Sequence, residues 1–243
     1  GGNMTHLLSL EQRRERVAEK RELVIDWLLG HGYSCRDVLE GVMHLQRNAT
    51  NKTIASLVRD QAARIFVHES FSGPIRLVVP TAHGAMTYGQ HLVTSGGVRD
   101  VERAALGTVL HALFVQRAQL RLLRDGYATR MAPRALAIEV DRNRTAWLRQ
   151  PDVLMFDASH RVCAIEAERI FKNPSRYRVI MADYLRMVKL KTVDRVVYVT
   201  ADAALAQRLA KLFQSFDFVE VDKQRLRVEP HHRAAFSFLS LKD

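Results

Sequence analysis

A chain of 243 residues, 47% hydrophobic and 26% charged, has the composition of an ordinary globular protein. That excludes a disordered chain and leaves room for one large domain or two small ones. Its 37 Lys+Arg against 26 Asp+Glu give a formal charge of +11, so a polyanion is the first partner to consider, nucleic acid ahead of membrane. Cys35 and Cys163 lie far apart with no CxxC spacing, which supports neither a disulfide framework nor a thiolate zinc site. No apolar run approaches the roughly 20 residues that a membrane-spanning helix needs. The N-terminus carries no signal-peptide pattern, and Gly1-Gly2-Asn3 ahead of Met4 reads as a cloning remnant. A cytoplasmic protein is the expectation.

Residues 11–29 predict a helix, with Val17, Leu23, Val24, Trp27 and Leu28 near helical spacing and Gly30-His31-Gly32 as its stop. Ser34 reads as the cap of a second helix over 35–46, and Thr50 as the cap of a third over 51–63. Two β-like runs, 64–68 and 76–79, follow around Ser70-Phe71-Ser72-Gly73-Pro74. Three short helices and a hairpin are the order of a winged helix-turn-helix. Asn51, Lys52, Thr53, Ser56 and Arg59 would then face a DNA groove, and Ser70–Pro74 would be the wing. A small helical domain used for protein contacts has the same element order.

Residues 81–95 predict one more helix, ending at a Ser95-Gly96-Gly97 breaker that divides a domain at 4–97 from one at 98–243. A long amphipathic helix is expected over 99–124. Strand signals follow at 135–140, 152–157 and 161–167, then a helix over 174–190, a strand over 195–200, a helix from Asp202 to about 214 and a final strand at 216–221. This order describes an α/β domain, α+β overall, with a mixed sheet flanked by helices. The charge is uneven. Residues 1–97 hold 11 Lys/Arg and 9 Asp/Glu, whereas 98–243 hold 26 and 17, so about +9 of the surplus lies in the second part. Arginine dominates there, and Arg142, Arg144 and Arg169 are candidates for phosphate contact. A solvated basic surface is the plainer alternative.

Inside this basic part lies an acidic constellation. Asp152 opens one strand, and Glu166 and Glu168, two apart on the next, project from one face. A turn at Ala158-Ser159-His160 returns the chain so that Asp152 approaches Glu166. Three carboxylates on one face repel unless a cation sits among them, and hard oxygen ligands suit Mg²⁺ or Mn²⁺. Solvated acids paired with nearby arginines would carry the same pattern.

Pro151-Asp152, a spacer, then Glu166-Ala167-Glu168 on a strand resembles the PD-(D/E)XK nuclease motif, in the variant with glutamate in place of the final lysine. A winged helix ending in Val79-Pro80-Thr81-Ala82-His83-Gly84, followed by helix 99–124 and that motif, resembles the replication-relaxation family, related to the MobC-type relaxases of mobilizable plasmids. The resemblance runs over about residues 15–215. It implies an endonuclease that nicks one strand at an origin of transfer, engaging duplex and single-stranded DNA alongside other relaxosome or coupling proteins. Asp152, Glu166 and Glu168 become its metal-binding and catalytic acids. Glu168 departs from the usual lysine, and Lys172, Arg169 or Lys189 could supply the missing positive charge. A regulator with a degenerate nuclease domain is the alternative. Tyr177 and Tyr184 are tyrosines that a covalent mechanism would use, although packing suits Tyr184 better. His111 and Glu102 on helix 99–124, and Glu139 and Asp141 on the expected strand 135–140, are further candidates for an acidic site. Asp157 reads as a turn residue.

Overall fold

In a computed structural model of the chain, residues 8–88 and 101–242 are described. The chain divides into two compact units, one up to Val109 and one from Leu110. The Ser95-Gly96-Gly97 breaker lies outside the described residues, as does the end of the helix expected over 81–95.

The first unit begins with α1 (Leu10–His31), capped reciprocally by Ser9 and Gln12. Gly32, at φ 91, ends it by donating its N–H to the Leu28 carbonyl. Helix α2 (Arg36–Met43) is short, and its N-cap is Cys35 rather than Ser34. Ser34 is fully buried and exchanges both backbone hydrogen bonds with Val78, so it acts as a strand residue. His44, at φ 54, closes α2 and leaves only Leu45 and Gln46 before α3 (Arg47–Arg59). Helix α3 therefore starts a turn before the expected Thr50, which sits buried inside it. Strands β1 (Ala63–His68) and β2 (Ile75–Pro80) form an antiparallel hairpin, followed by α4 (Ala82–Thr87), capped by Thr81. Val24, Ile25, Leu28, Leu39, Met43, Ile54, Leu57 and Val78 close one core beneath these elements.

The second unit is built on a five-stranded mixed sheet. Residues 101–103, still in the first unit, are helical, but the expected helix 99–124 is interrupted at 104–105 and resumes as α5 (Leu106–Arg124), whose first residues up to Val109 belong to the first unit. Then come β3 (Ala128–Met131), α6 (Pro133–Arg142), β4 (Val153–Phe156), β5 (Val162–Glu168), α7 (Pro174–Lys189), β6 (Arg195–Thr200), α8 (Ala203–Ser215), β7 (Phe218–Val221), β8 (Gln224–Arg227), α9 (Pro230–Ala234) and β9 (Phe236–Ser240). The sheet order is β3-β4-β5-β6-β9, antiparallel across the first two pairs and parallel across the last two.

Two expectations about the sheet are corrected as well. Residues 135–140 are helical, because Pro133 starts α6 at its first position and buried Leu136 recurs at helical spacing with half-buried Val140. The strand in the sheet is instead β3. Its side chains are mostly exposed, so it carries no apolar alternation to read. Strand β7 does not join the sheet but pairs with β8 across Asp222-Lys223, both at positive φ, as a tight hairpin requires. The fifth sheet position is taken by β9.

Alternation along β5 sorts its residues between two layers. Cys163, Ile165 and Ala167 pack with Phe114, Ala118 and Leu122 of α5. Ala164 faces the opposite core of Tyr177, Tyr184 and Tyr198, with Phe213 of α8. Glu166 and Glu168 share that face. The start of β4 and the carboxyl ends of β5 and β6 meet at one edge of the sheet, where parallel sheets commonly bind ligands.

Candidate active site

Asp152 stands one residue before β4, and its N–H donates to the Ile165 carbonyl. Its Oδ2 accepts the Ala167 N–H at 2.8 Å, and its Oδ1 accepts from His111 Nε2 at 2.9 Å. Both carboxylate oxygens are thus fixed, one by the strand and one by α5. The Asp152 hydrogen bond raises the His111 pKa above the ordinary value, against opposition from burial and from the nearby Arg169 guanidinium. His111 is nearly half exposed, so this imidazole is a rim group and not a core one.

Glu166 is the most perturbed acid. Burial, and then the neighbouring Asp152, push its carboxyl up to about 8. Arg149, Tyr184 and Lys172 oppose that rise without cancelling it. Arg149 holds Nε at 3.6 Å from Glu166 Oε1 and NH1 at 3.5 Å from Asp183 Oδ2, and its guanidinium lies over the Tyr184 ring. The Tyr184 hydroxyl donates to Glu166 Oε1. Tyr184 is fully buried and gives its hydroxyl to that carboxyl, so it packs and positions rather than presenting a nucleophile. Tyr198, paired with Glu166 in the β5–β6 register, is also buried, and burial followed by the Glu166 charge raises its phenol pKa.

Glu168 turns to a different partner. Its Oε2 lies 3.0 Å from Lys172 Nζ, four residues on, in the loop that leads to α7. Among the described residues, no group of three or more His, Cys, Asp and Glu side chains is arranged to hold a metal ion. The structure brings Asp152 and Glu166 into electrostatic contact and leaves Glu168 with Lys172. Asp152 and Glu166 are hard carboxylates close enough to interact electrostatically, and they are the two residues that could serve a divalent cation here.

The remaining candidates separate. Glu102 lies 3.3 Å from Arg64 in the first unit. Glu139 and Asp141 sit on helix α6, where exposed Asp141 pairs with Arg144 at 2.6 Å. Arg142 is exposed at the end of the same helix. Asp157 is held below the usual carboxylate range. Burial acts against that, but the Arg161 and Ser159 N–H groups and the Arg161 side chain outweigh it, as suits a turn. On α3, Asn51, Lys52 and Arg59 are exposed. Thr53 and Ser56 are half-buried, with hydroxyls given to the Ala49 and Thr53 carbonyls.

Reading by motif missed Arg149 and Asp183. No spacing rule connects an arginine in the loop before Asp152 to an acid on α7; the one usable signal was Arg149 standing three positions ahead of that motif acid. Comparison with protein-family models, with curated proteins and with solved structures found no match.

Proposed function

We propose that the protein is a metal-dependent DNA endonuclease with a winged-helix unit and a PD-(D/E)XK-like nuclease unit. By its resemblance to the replication-relaxation family, it is a plasmid mobilization relaxase that nicks one strand at an origin of transfer. One observation carries the reading: Asp152 and Glu166 stand at the end of neighbouring strands β4 and β5, where burial and then Asp152 push the Glu166 carboxyl up to about 8, with His111, Arg149, Arg169 and Lys172 around them. Carboxylates in that condition gain most from a divalent cation, and the surrounding positive charge suits a phosphodiester.

Asp152 and Glu166 would hold Mg²⁺ or Mn²⁺. A bound cation would supply Lewis-acid polarisation of the scissile phosphate and of its attacking water. The protein's own groups do the rest. His111 orients Asp152 through Oδ1. Arg149 and Tyr184 fix the Glu166 carboxyl from behind. Lys172, steered by Glu168, brings an ammonium to the position where the motif lysine is lacking, and Arg169 adds charge to stabilise the pentavalent phosphorus. Helix α3 would grip duplex DNA through Arg59, Lys52 and Asn51.

The test is nicking of supercoiled plasmid bearing the cognate origin of transfer, with Mn²⁺. Asp152→Ala and Glu166→Ala should each abolish nicking, and Lys172→Ala should slow it about 100-fold. Undiminished nicking by Asp152→Ala would sink the assignment.

A second reading is favoured by the internal partners that each acid already has, and by Glu168 standing apart from the other two. It is a DNA-binding regulator whose nuclease unit no longer cuts. Tight binding to the cognate origin with no metal-dependent nick would favour it.

A further inference from the structure

The tip of the β1–β2 hairpin is the most exposed apolar point on the described surface. Phe71 is fully exposed, flanked by Ser70, Ser72 and Gly73. The turn beneath it is ordered. The Ser70 hydroxyl donates to the Gly73 carbonyl at 2.5 Å and lies 3.2 Å from the Ser72 hydroxyl, and the Gly73 N–H donates to the Ser70 carbonyl at 3.1 Å. Gly73, at φ 112, takes a conformation that a side chain would resist, and Pro74 stiffens the exit. A ring held out on a rigid turn loses little freedom when a partner covers it.

We infer that Phe71 is a wedge that stacks on an unpaired base of DNA held by this unit. The inference rests on the proposed DNA-binding reading and adds the mode of contact. Helix α3 contains no acidic residue and exposes Arg47, Lys52 and Arg59 with the amides Asn48 and Asn51. The hairpin adds exposed Arg76, and Glu69 is the one acid beside the tip. Phosphates answer the cations and a base's flat face answers the ring, so one polymer satisfies both. A lone aromatic among serines and glycine is a poor membrane anchor, which needs a broader apolar face. Single apolar side chains that enter between bases and unstack them are a recurrent device of DNA-bending and strand-opening proteins. On the proposed relaxase reading the nicked strand is separated from its complement, and a wedge at the junction would hold the two apart.

The experiment measures binding of the full-length protein to two probes in low salt, by anisotropy. One is a blunt duplex of about 20 base pairs; the other carries a single-stranded thymidine tail of about eight nucleotides. Phe71→Ala should weaken binding to the tailed probe about tenfold and leave the blunt duplex nearly unchanged. Lys52→Ala should weaken both and lower the salt dependence. Phe71→Trp should lose fluorescence on the tailed probe as the indole stacks, against the constant signal of Trp27 and Trp147. Phe71→Ala with full affinity for the tailed probe overturns the wedge while leaving DNA binding intact. Failure of the wild-type protein to bind either probe overturns the DNA-binding reading and the wedge together. A blue shift of Phe71→Trp on anionic lipid vesicles, without quenching on the tailed probe, overturns the wedge in favour of a membrane contact. Because the ring touches only solvent, the thermal midpoint should not move in either Phe71 variant.

Discussion

Glu166→Gln removes a buried titration while keeping an oxygen to which Tyr184 and Arg149 can donate. The Glu166 carboxyl sits at about 8 in the folded protein, against an ordinary 4.5. Between those values the folded state holds a proton that the unfolded chain has released, so stability falls as pH rises through that window. Below 4.5 both states are protonated, above about 8 both are ionised, and in either range the slope from this group vanishes. The interval bounds the total at about 5 kcal/mol, and rehydration of the ionised group leaves an expected loss of about 2–3 kcal/mol. His111 adds a loss of the same sign, because its raised pKa contributes stability only while it is protonated. The Asp152 hydrogen bond, its largest cause, is common to both proteins, and Glu166 adds only a smaller part, so the difference between them reports Glu166 together with its pull on His111. The assay is urea unfolding at pH 5 and pH 9 in the presence of a chelator. Wild type should lose about 2–3 kcal/mol more than Glu166→Gln between the two pH values, and the variant should be the more stable protein at pH 9. Parallel pH profiles would refute the claim that burial and Asp152 hold this carboxyl high.

Arg149→Met leaves Glu166 and Asp183 without their shared cation. Because Glu166 is mainly protonated at pH 7, the loss there should be about 2 kcal/mol by urea unfolding and nearly the same in a Glu166→Gln background; at pH 9, where Glu166 ionises, the loss should exceed that in the Glu166→Gln background by about 1 kcal/mol. Gly84→Ala would set a Cβ 2.1 Å from the Ala62 carbonyl oxygen, a backbone atom that cannot swing aside. About 3 kcal/mol of stability should go with it, again by urea unfolding, with no change in the intrinsic nicking chemistry.

The elements that could be read were those whose burial leaves a periodic trace. Val162–Glu168 and Arg195–Thr200 are apolar strands at the centre of the sheet, and Pro174–Lys189 has a helical stripe opened by Asn173. Strand β3 left no such trace because it lies exposed at the sheet's edge, and β9 was missed after a hairpin that does not belong to the sheet. Residues 135–140 read as a strand only through Ile138 and Val140; Ala135, Leu136, Ala137 and Glu139 are good helix formers, and Pro133 starts a helix there. Ser34 and Thr50 are good capping residues by type. Each was drawn instead into the interior, one as a strand bridge and the other as a buried helical residue. At the site, the acids were visible as residue types at a spacing. Their partners were not. His111 lies 41 positions from Asp152, and Arg149 meets Glu166 only because the loop before β4 folds back over α7.

The central claim is that Asp152 and Glu166 form a divalent-metal pair, and direct Mn²⁺ binding tests it without any need to know the DNA target. Electron paramagnetic resonance of full-length protein titrated with Mn²⁺ should detect one bound ion, more tightly held at pH 8.5 than at pH 6.5 as the Glu166 carboxyl ionises. Asp152→Asn should weaken that binding at least tenfold. Equal binding by wild type and Asp152→Asn, or no bound ion in wild type, would contradict the account.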